Sequence, residues 1–218
     1  MVAPAREIVE SGEIGEVVSF RGIHAEDYMT DPKAPYTWRL DKKGGHGWVD
    51  LYTSIVHSCD TYYYKLGSES DIDDIHAFLK LFSFGQTTGI DIEGELAGVL
   101  PSREWKRNRF KRDPKCQPGD SVSAAIGQGY NTFTPLQMAT AMATLANDGV
   151  AYQPHLVKAI ENIRSGEVRK VAPQASHQVP VKEAHVQVVK RALIGVNAEG
   201  TGARACAGAG YLSGGKTG

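Results

Sequence analysis

Apolar residues recur at helical spacing through much of the chain and alternate in a few short runs, a pattern that predicts a mostly helical α+β protein. The clearest amphipathic stretch is Asp71 to Phe82, with Ile72, Ile75, Phe78, Leu79 and Phe82 on one face and Gly85 as its end. A second helix starts at Thr134, an N-cap residue followed by Pro135 at the first helical position and Gln137 to close a capping box. There Leu136, Ala139, Met142, Ala143 and Ala146 share a face, and Asn147-Asp148-Gly149 supplies the stop. Its small residues predict close packing, hence a central core helix. Upstream, Gly127 and Gly129 loosen the backbone beside the Ala124-Ala125-Ile126 run. Lys182 to Val196 predicts a third long helix, with Ala184, Val188, Ala192 and Val196 on a stripe. Val49 to His57 predicts a short helix with Leu51, Ile55 and Val56 inward. Ser58-Cys59-Asp60 interrupts it, and Thr61 to Leu66 resumes. His155 to Asn162 and Glu167 to Val171 predict strands around the Arg164-Ser165-Gly166 turn, and Ile90-Asp91-Ile92 a brief one.

The first 43 residues predict a unit of their own. Ile8 and Val9 close a short helix, GEVVSFRGIHA alternates as a strand would, and DYMTDPKAPYTWRL is a Pro-punctuated loop. The chain has 218 residues, enough for one core or somewhat more, and no internal repeat. A formal net charge of −1 gives no reason to expect a nucleic-acid footprint. The basic run Trp105 to Arg112 predicts a solvated loop or short helix instead. No apolar run approaches the roughly 18 residues of a membrane span, and no signal-peptide layout opens the chain. The three cysteines, Cys59, Cys116 and Cys206, lack framework spacing, so no disulfide scaffold is expected.

Four strings carry more than periodicity: SCDTYYYKLG from Ser58, TGIDIEGELAGVLPSREW from Thr88, GQG with TPLQMA between Gly127 and Ala139, and GKTG at Gly215 to Gly218. In this order and spacing they resemble the elongation-type class B penicillin-binding proteins, over about Asp41 to Gly218. The resemblance implies a partial penicillin-binding transpeptidase (β-lactamase-like) fold, with core strands missing after Gly218. It also implies an enzyme class, peptidoglycan D,D-transpeptidases, which acylate a serine with D-Ala-D-Ala stem peptides and are targets of β-lactams. On that pattern Ser58 and Asp60 form the S-x-D triplet, in which Ser58 relays a proton. Lys216, Thr217 and Gly218 form the K-T-G element that receives the substrate. Taken without the resemblance, Ser58 to Asp60 is a break between helices with Asp60 as N-cap of the next.

The family needs no cofactor for catalysis. Some members hold a structural zinc, and His46 and Cys59 match its histidine and cysteine by position, with Asp41 near the place of an aspartate; a capping His46 and a buried Cys59 are the alternative. The family's S-x-x-K nucleophile motif should precede Ser58, and the chain's only such string, Ser213 to Lys216, shares its lysine with K-T-G. An inactive fragment is therefore expected. By resemblance the parent is anchored in the inner membrane, faces the periplasm and works with a cell-shape glycosyltransferase.

AREIVESGEIGEVVSFRG, from Ala5, is similar to the start of the second domain of Gfo/Idh/MocA-type NAD(P)-dependent oxidoreductases. The expected organisation is therefore an oxidoreductase-like piece over 1–43 and a partial transpeptidase domain over 44–218. The DKKGG string common to both marks a crossover. No G-x-G-x-x-G follows a strand, so this likeness brings no nucleotide chemistry with it. Gly210 to Thr217 satisfies G-x-x-x-x-G-K-T, a phosphate-binding loop in other settings, but neither a buried strand before it nor a helix after it is expected.

Overall fold

A computed structural model of the chain describes residues 46, 49–205, 207, 208 and 210–217, all within the unit His46–Gly218. The helix, strand and loop expected before Gly45 lie outside the described residues, as do Asp41, Cys206 and Gly218. Among the described residues six helices come first: α1 Leu51–Val56, α2 Asp60–Glu69, α3 Ile72–Lys80, α4 Arg103–Arg109, α5 Pro118–Ala125 and α6 Pro135–Ala146. Four short strands follow, β1 Val150–Tyr152, β2 Ala159–Glu161, β3 Val168–Lys170 and β4 Ala175–Gln178, and then α7 Glu183–Ala198. β1 pairs antiparallel with β4, with a bulge after Ala151, and β2 pairs antiparallel with β3 as a hairpin.

The buried centre lies where α1 crosses α7. Ile55, Ala192 and Val196 are buried there, with Tyr52, Tyr63, Val189 and Leu193 packed around them. A second layer forms where α2 and α3 pack on α5. Gly67 makes the α2–α5 approach possible: a Cβ at that position would lie 2.8 Å from the Ala125 Cβ and 2.9 Å from the Ser121 carbonyl.

Caps define the helix boundaries. Asp50 caps α1 through Thr53, Asp71 caps α3, Ser102 caps α4, and Thr134 with Gln137 closes the capping box of α6. At the other end of α6, Asp148 takes φ +54° and Gly149 returns its N–H to the Thr144 carbonyl, completing a Schellman turn.

Several expected faces are different in the fold. α6 buries Gln137, Thr140, Ala141 and Thr144, whereas Met138, Met142, Ala139, Ala143 and Ala146 are exposed, so it is not a central core helix. In α7 Ala184 is exposed and the buried line is Val186, Ala192 and Val196. Leu51 faces outward from α1, and Phe78 outward from α3. Ile90 to Ile92 is no strand. Asp91 instead accepts the Leu156 N–H (2.7 Å) and the Val157 N–H (3.1 Å), and Glu95 accepts Thr88 and Gly89, so these carboxylates brace a loop. The basic run holds a helix, α4, whose Lys106 is buried, not solvated. The alternating His155 to Asn162 forms a strand only over Ala159–Glu161. α5 was not expected from periodicity, being a short Gly- and Ser-containing segment started by Pro118.

Asp71 and Asp91, which join segments far apart in the chain, have pKa values held below the ordinary range. The Asp73 N–H and then Arg103 do this for Asp71, and the Leu156 and Val157 N–H groups do it for Asp91. A depressed carboxylate contributes stability that is present above its unfolded pKa of about 3.9 and is lost as pH falls through the folded value. The urea midpoint should therefore be lower at about pH 3 than at about pH 7. Asp91→Asn should lower the midpoint at neutral pH and narrow that difference.

Candidate active site

Ser58 stands at the end of α1 because that helix closes in a Schellman turn. The Ser58 N–H bonds to the Ile55 carbonyl (3.2 Å) and the Cys59 N–H to the Ser54 carbonyl (2.8 Å). Ser58 occupies the left-handed position, φ +54°, where glycine is usual, at a cost of roughly 1–2 kcal/mol. The turn presents the hydroxyl away from the helix axis and passes directly into α2, whose N-cap is the buried Cys59. Asp60 is therefore the first residue of α2, not its N-cap.

Lys216 reaches the same turn from the far end of the chain. The segment before it runs back along α7: Asn197 Nδ2 donates to Ser213 Oγ (3.1 Å) and the Gly215 N–H to the Leu193 carbonyl (3.0 Å). Gly214 lies so close to α7 that a Cβ there would sit 3.3 Å from the Ile194 nitrogen. Residues 211–217 form no strand. Because α7 packs on α1, this segment delivers Lys216 to Ser58. The Lys216 ammonium donates to Ser58 Oγ and, at 2.6 Å, to the Thr217 carbonyl. Burial lowers the Lys216 pKa, opposed by the negative charge of Asp60. Thr217 Oγ1 lies 2.6 Å from Thr201 Oγ1, and the Thr201 N–H bonds to the Val56 carbonyl.

The structure thus brings Ser58, Lys216 and Thr217 together, with Asp60 acting on the lysine through its charge. Thr201 and Asn197 escaped sequence reasoning. Thr201 lies in a small, glycine-rich run, and only a polar Asn197 directly after the apolar run Ala192 to Val196 hinted at a tether. The described residues 210–217 form neither helix nor strand, and the lysine of that string is hydrogen-bonded to Ser58, which speaks against the phosphate-loop alternative.

Of the residues expected to hold zinc, the described ones are His46 and Cys59. His46 is exposed and its ring stacks 5.8 Å from that of His57, while Cys59 is buried at the helix start. Among the described residues no group of three or more His, Cys, Asp or Glu side chains could hold a metal ion. Two candidate ligands do not make a structural site, for which four are the norm.

A helical domain in which a serine at a helix end meets a lysine from a K-T-G segment is an acyl-transferase architecture of the penicillin-binding type. The chain belongs to the penicillin-binding protein transpeptidase domain family, whose model matches residues 24–218. That match begins at residue 24, inside the stretch expected to be oxidoreductase-like, and the oxidoreductase alternative has no support.

Among curated proteins the chain is 42% identical over 193 residues to the peptidoglycan D,D-transpeptidase MrdA of Haemophilus influenzae, covering 88% of this chain and 29% of that protein. It is 37% identical over 175 residues to the protein of the same name in Acinetobacter baumannii, covering 80% and 26%. The chain therefore spans less than a third of the length of these relatives. Among solved structures it is similar to Pseudomonas aeruginosa PBP2 in complex with WCK 5153, at TM-score 0.67 and 36% identity over 80% of this chain and 39% of that one. It is also similar to Helicobacter pylori PBP2 in complex with MreC, at TM-score 0.63 and 29% identity over 78% and 30%.

Proposed function

We propose that this chain supplies the S-x-D and K-T-G sides of an acyl-transfer cleft that cross-links peptidoglycan during cell-wall elongation. The donor is the D-Ala-D-Ala end of a stem peptide, and β-lactams occupy the same cleft. The observation that carries this reading is the hydrogen bond from Lys216 to Ser58, which unites the two elements across the length of the domain.

In this role the Lys216 ammonium faces the terminal carboxylate of the donor, Thr217 offers its hydroxyl, and Gly218 lets the peptide backbone lie close. Ser58 passes a proton toward the leaving amine, and Asp60 keeps Lys216 charged. The serine acylated in the family belongs to an S-x-x-K motif that this sequence contains only as Ser213 to Lys216. Ser213 is tied to Asn197 and lies outside any helix, so it is no substitute. We therefore read the chain by itself as receiving the donor without the family's acylation step.

Solved structures of a PBP2 in complex with MreC and of a peptidoglycan synthase complex support a protein partner in general, which we read as the cell-shape glycosyltransferase. The working location is the periplasmic face of the inner membrane. No described helix is itself long and apolar enough to cross a membrane.

Titration of a stem pentapeptide ending in D-Ala-D-Ala, followed by NMR shifts, tests the reading. Saturable binding is expected, weakened about tenfold by Lys216→Ala through loss of a charge-assisted bond. Equal binding by the variant, or no binding by the parent chain, would refute it.

A further inference from the structure

The Ser58–Lys216 contact has the parts of a nucleophile and its base, apart from any relay role. The Lys216 nitrogen is within hydrogen-bond distance of both the Thr217 carbonyl, at 2.6 Å, and Ser58 Oγ. A neutral Lys216 can keep an N–H on the carbonyl and accept the Ser58 hydroxyl proton with its lone pair. Partial burial eases the loss of the ammonium charge, while Asp60 resists it. Ser58 is also held in the left-handed backbone conformation at a turn between two helices. The N-cap of α2, Cys59, makes no side-chain cap bond, and the positive end of that helix begins beside Ser58, with the Asp60 carboxylate in its first turn.

We infer that Ser58 and Lys216 form a serine–lysine dyad through which this chain can itself be acylated by small activated esters. In the first step the neutral Lys216 amine takes the Ser58 proton as Oγ bonds to the ester carbonyl carbon. The carbon–oxygen bond to the leaving group then breaks, and a phenolate departs with its electron pair, leaving an acyl-serine. The phenolate takes up the proton that Lys216 carries, through solvent, which returns the amine to its neutral form. In the second step water attacks the same carbonyl, giving a proton to Lys216, which passes it to Ser58 Oγ as that oxygen leaves. The sum is ester and water converted to acid and alcohol, and no other reactant is needed. The chemistry uses the serine that is present in the chain next to a lysine.

The probe is p-nitrophenyl acetate with the intact chain, read by nitrophenolate release and by peptide mapping of the acetyl group. We expect acetate on Ser58. Lys216→Arg keeps the charge and the bond to Ser58 but provides no base, and should slow release at least about tenfold, the lower range of general-base effects. Ser58→Gly removes the hydroxyl while suiting the left-handed backbone, so it should abolish acetylation and raise the melting temperature together. That pairing separates lost chemistry from lost folding. Acetate found on Lys216 or elsewhere instead of Ser58, or an unchanged rate in Ser58→Gly, would overturn the dyad. The small ester does not need the stem-peptide subsite, so either result stands apart from the peptide titration.

Discussion

Replacing Gln137 with alanine is expected to lower the unfolding free energy by about 3–5 kcal/mol, the combined cost of leaving several buried polar groups without partners. Gln137 is 0% exposed although it sits in the first turn of α6. Its Oε1 accepts the Thr134 N–H at 2.9 Å, and its Nε2 donates to the carbonyls of Gln86 and Ala97, both at 2.7 Å. One amide therefore caps a helix and clamps both ends of the loop braced by Glu95. Alanine leaves two carbonyls and one N–H unpaired in a space that is not easily rehydrated. Gln137→Glu is the sharper variant, because it preserves the shape and the N-cap acceptor but turns an oxygen toward the two carbonyls. Urea unfolding of all three proteins checks this. The prediction fails if the glutamate variant is as stable as the parent at neutral pH.

Lys106→Ala should cost about 3 kcal/mol or more, because it leaves the largely buried Asp120 without its partner. Lys106 is 4% exposed, and its ammonium lies 2.5 Å from the Asp120 carboxylate and 5.4 Å above the Tyr130 ring. Tyr130 in turn packs against Trp105 and Phe110, so the lysine stem fills the side of an aromatic cluster. Asp120 also accepts the Gln117 N–H at the start of α5 (2.7 Å), which couples the pair to that helix. The double variant Lys106→Met, Asp120→Asn should recover most of the loss, since neither charge then stays buried alone. Burial pulls the Lys106 pKa down, but the Asp120 carboxylate outweighs it and raises the pKa above the usual lysine value. A raised lysine pKa contributes stability below the unfolded value of about 10.4 and loses it as pH rises through the folded one. The destabilisation by Lys106→Ala should accordingly be full at neutral pH and shrink in strongly alkaline solution, which paired melts at the two pH values would detect.

Local chemistry was legible along the chain wherever it is settled by neighbours in sequence. Thr134-Pro135 with Gln137, the Asn147-Asp148-Gly149 stop, and the turn around Arg164 to Gly166 all declare themselves, because caps and turns are satisfied within a few residues. The motifs at Ser58, Thr88, Gly127 and Lys216 likewise name the family. The buried face of α6 did not declare itself. A helix with alanines and methionines on one side reads as apolar inward, yet Gln137, Thr140 and Thr144 are the residues inside. Distant partners change the balance for Gln137, since carbonyls from residues 86 and 97 meet its amide and remove the cost of burying it. The basic run misled for the same reason: only the fold brings Asp120 to Lys106.

Residue type alone determined the caps, the helix-rich class, the hydroxyl at position 58 and the ammonium at 216. Whether those last two meet was decided by the crossing of α1 on α7 and by the glycine pair that lets the final segment lie against α7. That meeting depends on contacts between residues far apart in the chain, whose geometry no local pattern contains.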